Sequence, residues 1–284
     1  MEIGIGLPST VPGFSGSEVV EWARRAEALG FSTLGVIDRL VYANAEPLTV
    51  LAAAAAVTTR IRLATTILVA PARPSGALLA KQVASVDRLS GGRLTLGLGV
   101  GGRADDFAVT GTRYHERGRR FAQMLAEMRD VWAGSEGTGE IGPAPVQERI
   151  PVLLGGRAEA VFRRVGEVAD GWISTGGRVE MFSELAPKAC RAWTENGRPG
   201  RPRLAAIGYF ALGDGARHAA DEHLLDYYAF LGDFAKFTAA GALTDAGAVR
   251  ETVAAFAEAG CDELILHPCL SDPEQVTLLA RALA

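Results

Sequence analysis

The sequence predicts one domain over residues 1–284 with a (β/α)8 TIM-barrel fold, and three observations support this prediction. Short runs rich in Leu and β-branched residues alternate eight times with longer segments of helical apolar spacing. Glycines follow several helical segments where a left-handed residue ends a helix. The length of 284 residues suits a barrel, which commonly needs ~250. A doubly wound open sheet is the alternative, because one sequence does not show strand order.

The predicted elements follow one another without an interior linker. Strands are predicted at residues 3–7, 33–37, 63–69, 94–99, 151–154, 171–174, 204–212 and 263–267. Helices are predicted at residues 17–29, 47–58, 76–89, 113–132, 158–168, 181–196 and 273–283, with a divided helical region over 216–259. We interpret the irregular stretches 134–149 and 230–245 as plain loops rather than lids.

Composition and charge narrow the classes of partner. The formal net charge is −4 and no long basic run is present, so we expect no nucleic-acid partner. The N-terminus lacks the basic and long apolar regions of a signal peptide, which predicts a cytoplasmic protein without membrane association. Three cysteines without metal-ligand spacing fit a reducing compartment and predict no metal site.

Two neighbouring strands are each followed by a glycine pair, an arginine and a helix. The segments are Gly155-Gly156-Arg157-Ala158 and Thr175-Gly176-Gly177-Arg178. Such loops let backbone N–H groups approach an anion at the positive end of a helix dipole, and arginine binds phosphate oxygens in a fork. A tight turn without a ligand explains either loop alone, but the two together favour a phosphorylated cofactor.

A third glycine cluster, Gly97-Leu-Gly-Val-Gly-Gly, ends the fourth predicted strand. It does not fit the dinucleotide fingerprint, which needs a helix directly after the third glycine and an acidic residue ~20 positions further on. We therefore expect no nicotinamide Rossmann site. Gly99 and Gly101 would instead let a planar ring or a sugar approach the strand, where a Cβ would collide.

Several motifs together resemble the bacterial luciferase-like superfamily of flavin- and deazaflavin-dependent oxidoreductases over nearly the whole chain. The motifs are Arg88-Leu-Ser-Gly-Gly-Arg-Leu-Thr-Leu-Gly-Leu-Gly-Val-Gly, Arg103-Ala-Asp-Asp-Phe, Arg117-Gly-Arg-Arg-Phe, Leu154-Gly-Gly and Ala169-Asp-Gly-Trp. The resemblance implies a luciferase-like TIM barrel that binds FMN or coenzyme F420. F420 is slightly favoured, because compact relatives without large insertions often use it.

The resemblance also implies where the cofactor lies. In relatives the loop after the fifth strand, here Gly155 to Ala158, holds the cofactor phosphate with help from the loop after the sixth, here Thr175 to Gly177. The third strand of relatives often carries a non-proline cis peptide against the cofactor ring, and the matching position is Thr66-Ile67. An ordinary buried strand is the alternative there, since a cis bond of this type costs ~3 kcal/mol.

The candidate catalytic residues are Asp38, Arg39 and His267. Several deazaflavin-dependent relatives carry Asp-His at the end of the second strand, where this chain has Asp38-Arg39, so Asp38 is either a proton donor or an ion-pair partner of Arg39. His267 ends the eighth strand and is a candidate proton donor near neutral pH, or a packed side chain. Arg117 and Arg120 are expected to anchor their helix.

The resemblance implies hydride transfer between a reduced cofactor and a small organic substrate. The alternatives are an FMN-dependent monooxygenase served by a partner reductase, a flavin-binding protein without catalysis, and a phosphate-binding barrel lyase or isomerase. Relatives are often homodimers, although the apolar helix faces of this chain would pack equally well on its own barrel.

Overall fold

The computed structural model describes residues 1–284 and contains a closed barrel of eight parallel strands in chain order. Each strand pairs with the next, and the last pairs with the first, with Ile5 opposite Leu266. The TIM-barrel prediction is confirmed and the open-sheet alternative is wrong. The strands are β1 (Glu2–Gly6), β2 (Thr33–Val36), β3 (Arg62–Val69), β4 (Leu94–Gly99), β5 (Val152–Gly155), β6 (Gly171–Ser174), β7 (Arg203–Phe210) and β8 (Glu263–Pro268).

The helices surround the barrel between the strands. They are α1 (Gly16–Ala28), α2 (Pro47–Val57), α3 (Gly76–Ser90), α4 (Ala104–Val109), α5 (Arg117–Ala133), α6 (Glu159–Val168), α7 (Val179–Glu195), α8 (Ala216–Tyr227), α9 (Asp233–Ala240), α10 (Ala246–Glu258) and α11 (Glu274–Leu283). Short 3-10 turns occur at Ala70–Ala72, Tyr114–Glu116 and Ala229–Leu231. None of the helices combines the length and the apolar character needed to cross a membrane.

Two predicted regions differ from the structure. The helix predicted from residue 113 begins only at Arg117, and the separate short helix α4 precedes it. The stretch 230–245 is not a plain loop, because it contains α9. Its Phe234 and Phe237 contact arginines of the loops after β5 and β6, and these contacts exist only once the barrel has closed. The stretch 134–149 is irregular, as predicted.

Capping and aromatic packing fix the elements that carry the site. Ser75 caps the N-terminus of α3 through its hydroxyl, which accepts from the Leu78 N–H, and Gly91, with φ of 68°, caps the C-terminus. Trp172 of β6 is fully buried among phenylalanines, and its indole N–H donates to the Gly156 carbonyl at 2.9 Å. The core therefore holds the loop after β5 in place.

The N-terminal end of the barrel is closed by a network of four charged side chains. Glu263 is 4% exposed and accepts hydrogen bonds from Arg62 at 3.0 Å and Arg203 at 2.8 Å. Both arginines also donate to Glu2. Burial alone would raise the pKa of Glu263, but hydrogen bonds from two hydroxyls and Arg203 hold it below its usual value. We call these four residues the floor network.

Candidate active site

A bulge in β3 shapes the C-terminal mouth of the barrel. The register between β3 and β4 shifts between Thr65 and Leu68. The Thr65 carbonyl comes so close to β4 that a Cβ at Gly97 would lie 2.1 Å from its oxygen, so only glycine fits there. The expected cis bond at Thr66-Ile67 is wrong, because that peptide is trans. The extra residue of the bulge changes the strand's direction instead.

The side chain of Ile67, the next residue of this bulge, packs over Gly99 and Gly155, which together we call the glycine wall. A Cβ at Gly155 would lie 1.7 Å from Ile67 Cδ1, and a Cβ at Gly99 would lie 3.0 Å from Ile67 Cγ2. Gly101 is similarly close to Val69, at 2.5 Å. The glycines thus give space to side chains of β3, and half-buried Ile67 forms an apolar surface over β4 and β5.

The two glycine-arginine loops have the backbone geometry that the sequence predicts. Gly156, Gly176 and Gly177 have φ values of 132°, 100° and 68°, which side chains rarely adopt. Helices α6 and α7 follow these loops without a side-chain cap at their N-termini. Their first backbone N–H groups therefore remain open to an anion.

The arginines of these loops lack acidic partners. Arg157 stacks over the Phe234 ring at 5.6 Å, and Arg178 stacks over Phe237 at 4.1 Å and donates to its carbonyl at 3.2 Å. The buried Arg178 Nε–H has no acceptor. A buried donor without a partner costs free energy, and an anionic ligand would remove that cost.

Asp38 is engaged by Arg73 rather than by Arg39. Its carboxylate is 3% exposed and accepts from the two terminal nitrogens of Arg73 at 2.6 and 3.1 Å and from the Val69 N–H at 2.8 Å. Burial raises the pKa of Asp38, and the adjacent Arg73 charge opposes that rise. The expected Asp38–Arg39 pair is wrong, because the turn after β3 brings Arg73 against the end of β2.

Arg39 points towards α4 and α8. It donates to the Tyr227 carbonyl at 3.2 Å, lies 3.5 Å from Asp105, and stacks over the Tyr42 ring at 4.9 Å. Its buried Nε–H has no acceptor. Asp38 and Arg39 are therefore neighbours in sequence that serve two different parts of the mouth.

His267 lies inside the barrel with 1% exposure. Its Nε2 is 2.9 Å from the Thr66 hydroxyl, which itself donates to the Val36 carbonyl. The Thr66 oxygen must then accept, which assigns the proton to Nε2. Burial lowers the pKa of His267 to about 3, so the ring is neutral at pH 7. Gly6 gives it space, since a Cβ there would lie 2.1 Å from Nδ1.

A segment that we call the aromatic cover, residues 227–237, lies over the strand ends. Its Tyr228 hydroxyl is hydrogen-bonded to the Tyr209 hydroxyl of β7, and burial raises the pKa of both phenols. Arg103, Arg157 and Arg178 each stack on one of its phenylalanines. Sequence reasoning missed these contacts. The only signal was five aromatic residues in eleven positions.

The anchoring role predicted for two arginines of α5 is confirmed. Arg117 donates to the Gly101 carbonyl at 3.2 Å, and Arg120 donates to the carbonyls of Pro71 and Arg73 at 3.0 and 2.7 Å. These bonds tie α5 to the turns after β3 and β4, so the helix holds the mouth in shape.

A cleft of about 930 Å³ lies at the opposite end of the barrel and involves none of these residues. Arg129 and Arg198 line it and donate to carbonyls at the end of α6. That role caps a helix. The candidate site is therefore defined by strand-end chemistry rather than by cleft size.

Comparison with known proteins identifies the family. The model of the luciferase-like monooxygenase family matches residues 1–282. The chain belongs to this family. One relative, an uncharacterized protein of Mycobacterium tuberculosis, is 35% identical over 173 residues, which is 57% of this chain. The match spans 61% of that relative's length, less than two thirds of it. The F420-dependent glucose-6-phosphate dehydrogenase of Kribbella flavida is 29% identical over 215 residues, covering 69% of this chain and 64% of that protein.

Three solved structures share the luciferase-like fold at low sequence identity. Monooxygenase RslO1 from Streptomyces bottropensis has a TM-score of 0.82 at 23% identity, covering 100% of this chain and 96% of that one. An F420-dependent secondary alcohol dehydrogenase in complex with an F420-acetone adduct has a TM-score of 0.81 at 18% identity, covering 100% of this chain and 99% of that one. The oxygenating constituent of 3,6-diketocamphane monooxygenase from Pseudomonas putida, in complex with FMN, has a TM-score of 0.73 at 16% identity, covering 100% of this chain and 96% of that one.

Proposed function

We propose that this luciferase-like protein is an F420-dependent oxidoreductase that transfers a hydride between the cofactor and a small organic substrate. The observation that carries the proposal is the pair of glycine-arginine loops after β5 and β6. Each combines at least one positive-φ glycine, an uncapped helix N-terminus and an arginine with no carboxylate partner. These features fit the phosphate of a cofactor.

The residues present fit both ends of such a cofactor. Gly155 to Ala158 and Thr175 to Gly177 would hold the phosphate, and the orphaned Arg178 Nε–H would gain an acceptor. Ile67, supported by the glycine wall and the β3 bulge, offers an apolar surface for the ring. The Thr66 hydroxyl donates to the Val36 carbonyl of β2 and so holds the residue that precedes Ile67 in place.

F420 when bound supplies a hydride to a substrate carbon or accepts one from it, and the balancing proton passes to or from the adjacent substrate atom. The protein then has to exclude water and hold a proton at the mouth. The aromatic cover shields the strand ends. The Tyr209–Tyr228 hydroxyl pair stays protonated at neutral pH, because burial raises both pKa values.

Asp38 and His267 act in this proposal as positioning residues. The Asp38 carboxylate fixes the end of β3 through the Val69 N–H and Arg73. Neutral His267 fixes Thr66, next to the surface formed by Ile67. Both groups are committed to protein partners, so we do not assign them a proton transfer.

The similarity to the F420-dependent dehydrogenase of Kribbella flavida supports F420. The fold similarity to an FMN complex from Pseudomonas putida supports the second candidate, an FMN-dependent monooxygenase that a partner reductase would supply. The same loops suit the single phosphate of FMN.

Fluorescence titration of the purified protein with F420 and, separately, with FMN tests the proposal. We expect F420 to bind at least tenfold more tightly. Enzyme loaded with reduced F420 should then regain the absorbance of oxidised F420 when imines, enones or ketones are added. Tighter binding of FMN would favour the monooxygenase, and binding of neither would contradict both candidates.

A further inference from the structure

Arg103 is held at the mouth mainly by aromatic rings. Its guanidinium carbon lies 4.7 Å from the centre of the Tyr227 ring and 4.2 Å from that of Phe230. The buried Nε–H has no hydrogen-bond acceptor. Nearby acids are engaged elsewhere, because Asp105 pairs with Arg39 and the Asp106 carboxylate accepts from the N–H groups of residues 40 and 41.

Arg117 shows what a structural arginine looks like in the same region. It also stacks on an aromatic ring, that of Tyr114 at 3.9 Å. Its N–H groups, however, donate to the carbonyls of Gly101 and Tyr114. A guanidinium stacked on rings still offers its in-plane N–H edge, and that edge matches a carboxylate or phosphate. In Arg103 the Nε–H of this edge has no acceptor, so packing alone does not account for its position.

Further orphaned donors surround the same ring. The Arg39 guanidinium lies 5.8 Å from the centre of the Tyr227 ring, and its buried Nε–H lacks an acceptor. The buried Tyr227 hydroxyl makes no hydrogen bond of good geometry, and the nearby Arg103 charge partly offsets the burial that raises the pKa of this phenol. Two guanidinium groups whose Nε–H groups lack acceptors, and a phenol hydroxyl beside them, form a site for an oxyanion attached to an apolar body.

We propose that Arg103 and Arg39 bind an oxyanion of the substrate, a carboxylate or a phosphate ester, while the rings of Tyr227 and Phe230 contact its apolar part. The inference rests on the proposed function, because it assigns the substrate class for the same mouth. The site differs from the cofactor loops, since its arginines follow β2 and β4 rather than β5 and β6.

Calorimetric titration with phenyl phosphate and with benzoate, in free and F420-saturated protein, tests this inference. We expect binding in both states, no binding of neutral benzyl alcohol, and at least tenfold weaker binding in Arg103→Gln. Arg103→Lys keeps the charge but loses the fork, so it should give an intermediate loss. Arg113→Gln is the matched control, because that side chain is 81% exposed on the adjoining loop.

The two probes distinguish the source of the oxyanion. A preference for phenyl phosphate indicates a phosphate ester, and a preference for benzoate indicates a carboxylic acid. Unchanged affinity in both Arg103 variants would overturn the inference. Loss of probe binding on F420 saturation would also overturn it, because Arg103 would then serve the cofactor. Binding that depends on Arg103 in a protein that takes neither F420 nor FMN would instead contradict only the proposed function.

Discussion

The charged side chains at the two ends of the barrel differ in whether they have partners of opposite charge. At the floor, the carboxylates of Glu2 and Glu263 are paired with Arg62 and Arg203 at 2.6 to 3.0 Å. At the mouth, by contrast, the Nε–H groups of three arginines are buried without acceptors. A folded chain leaves few buried polar groups unpartnered, so their concentration at one end marks that end as the place for a ligand.

The contrast also assigns roles to charges within the mouth. The Asp38–Arg73 pair resembles the floor network, because the two side chains neutralise each other's charge in a buried bidentate ion pair. Arg157 and Arg178 do not, because aromatic rings are their main neighbours. Substitutions at paired charges should therefore change stability, and substitutions at unpaired charges should change binding.

The largest effect is expected at the floor. Glu263→Leu leaves two arginines with one carboxylate and two hydroxyls without an acceptor, which should cost about 3 to 5 kcal/mol of unfolding free energy. Urea unfolding measures this loss, while the folded fraction should keep its cofactor affinity. Glu222→Leu, at a side chain 78% exposed, is the control and should change stability little. A loss below about 1 kcal/mol in Glu263→Leu would show that the floor network is not structural.

The next effect concerns acid stability. The unfolded chain protonates His267 below about pH 6.5, whereas the folded chain keeps it neutral to about pH 3. The unfolded state thus binds more protons in this window, so stability should fall by about 3 kcal/mol from pH 7 to pH 4 through this group. His267→Gln should be less stable at pH 7 but should lose less on acidification.

An exposed histidine provides the control for this loss of stability at acid pH. His218 is 88% exposed, so His218→Gln should keep the wild-type dependence on pH. Buried His223, whose pKa is lowered to about 4, contributes to the same loss of stability at acid pH and remains in both variants. An unchanged slope in His267→Gln would mean that the ring is already charged in the folded protein.

A smaller effect is expected at the glycine wall. Gly155→Ala places a methyl group 1.7 Å from Ile67 Cδ1 and should displace the surface that receives the ring. We expect about tenfold weaker cofactor binding, or ~1.4 kcal/mol. Adding Ile67→Val removes the colliding atom and should restore affinity to within about threefold of wild type. Gly102→Ala, which meets open space, serves as the control. If the double variant binds no better than Gly155→Ala, the collision is not the cause.

The sequence predicted the repeating elements and the loop glycines, because both depend on local spacing. It did not predict the partner of Asp38, since Arg73 lies 35 residues away and meets it only when β2 and β3 are paired. The same holds for the aromatic cover, whose Phe234 and Phe237 reach arginines on β5 and β6 loops. Contacts of this kind depend on barrel closure and leave no local pattern.

The most direct test of the contrast between the two ends is the affinity of Arg157→Ala/Arg178→Ala for F420, measured together with its thermal unfolding. We predict at least tenfold weaker binding, a smaller dependence of affinity on salt, and an unchanged melting temperature. Arg163→Ala, at a side chain 66% exposed on α6, should behave as wild type. Unchanged F420 affinity in the double variant, or a loss of stability in place of binding, would contradict the assignment of the mouth arginines to a ligand.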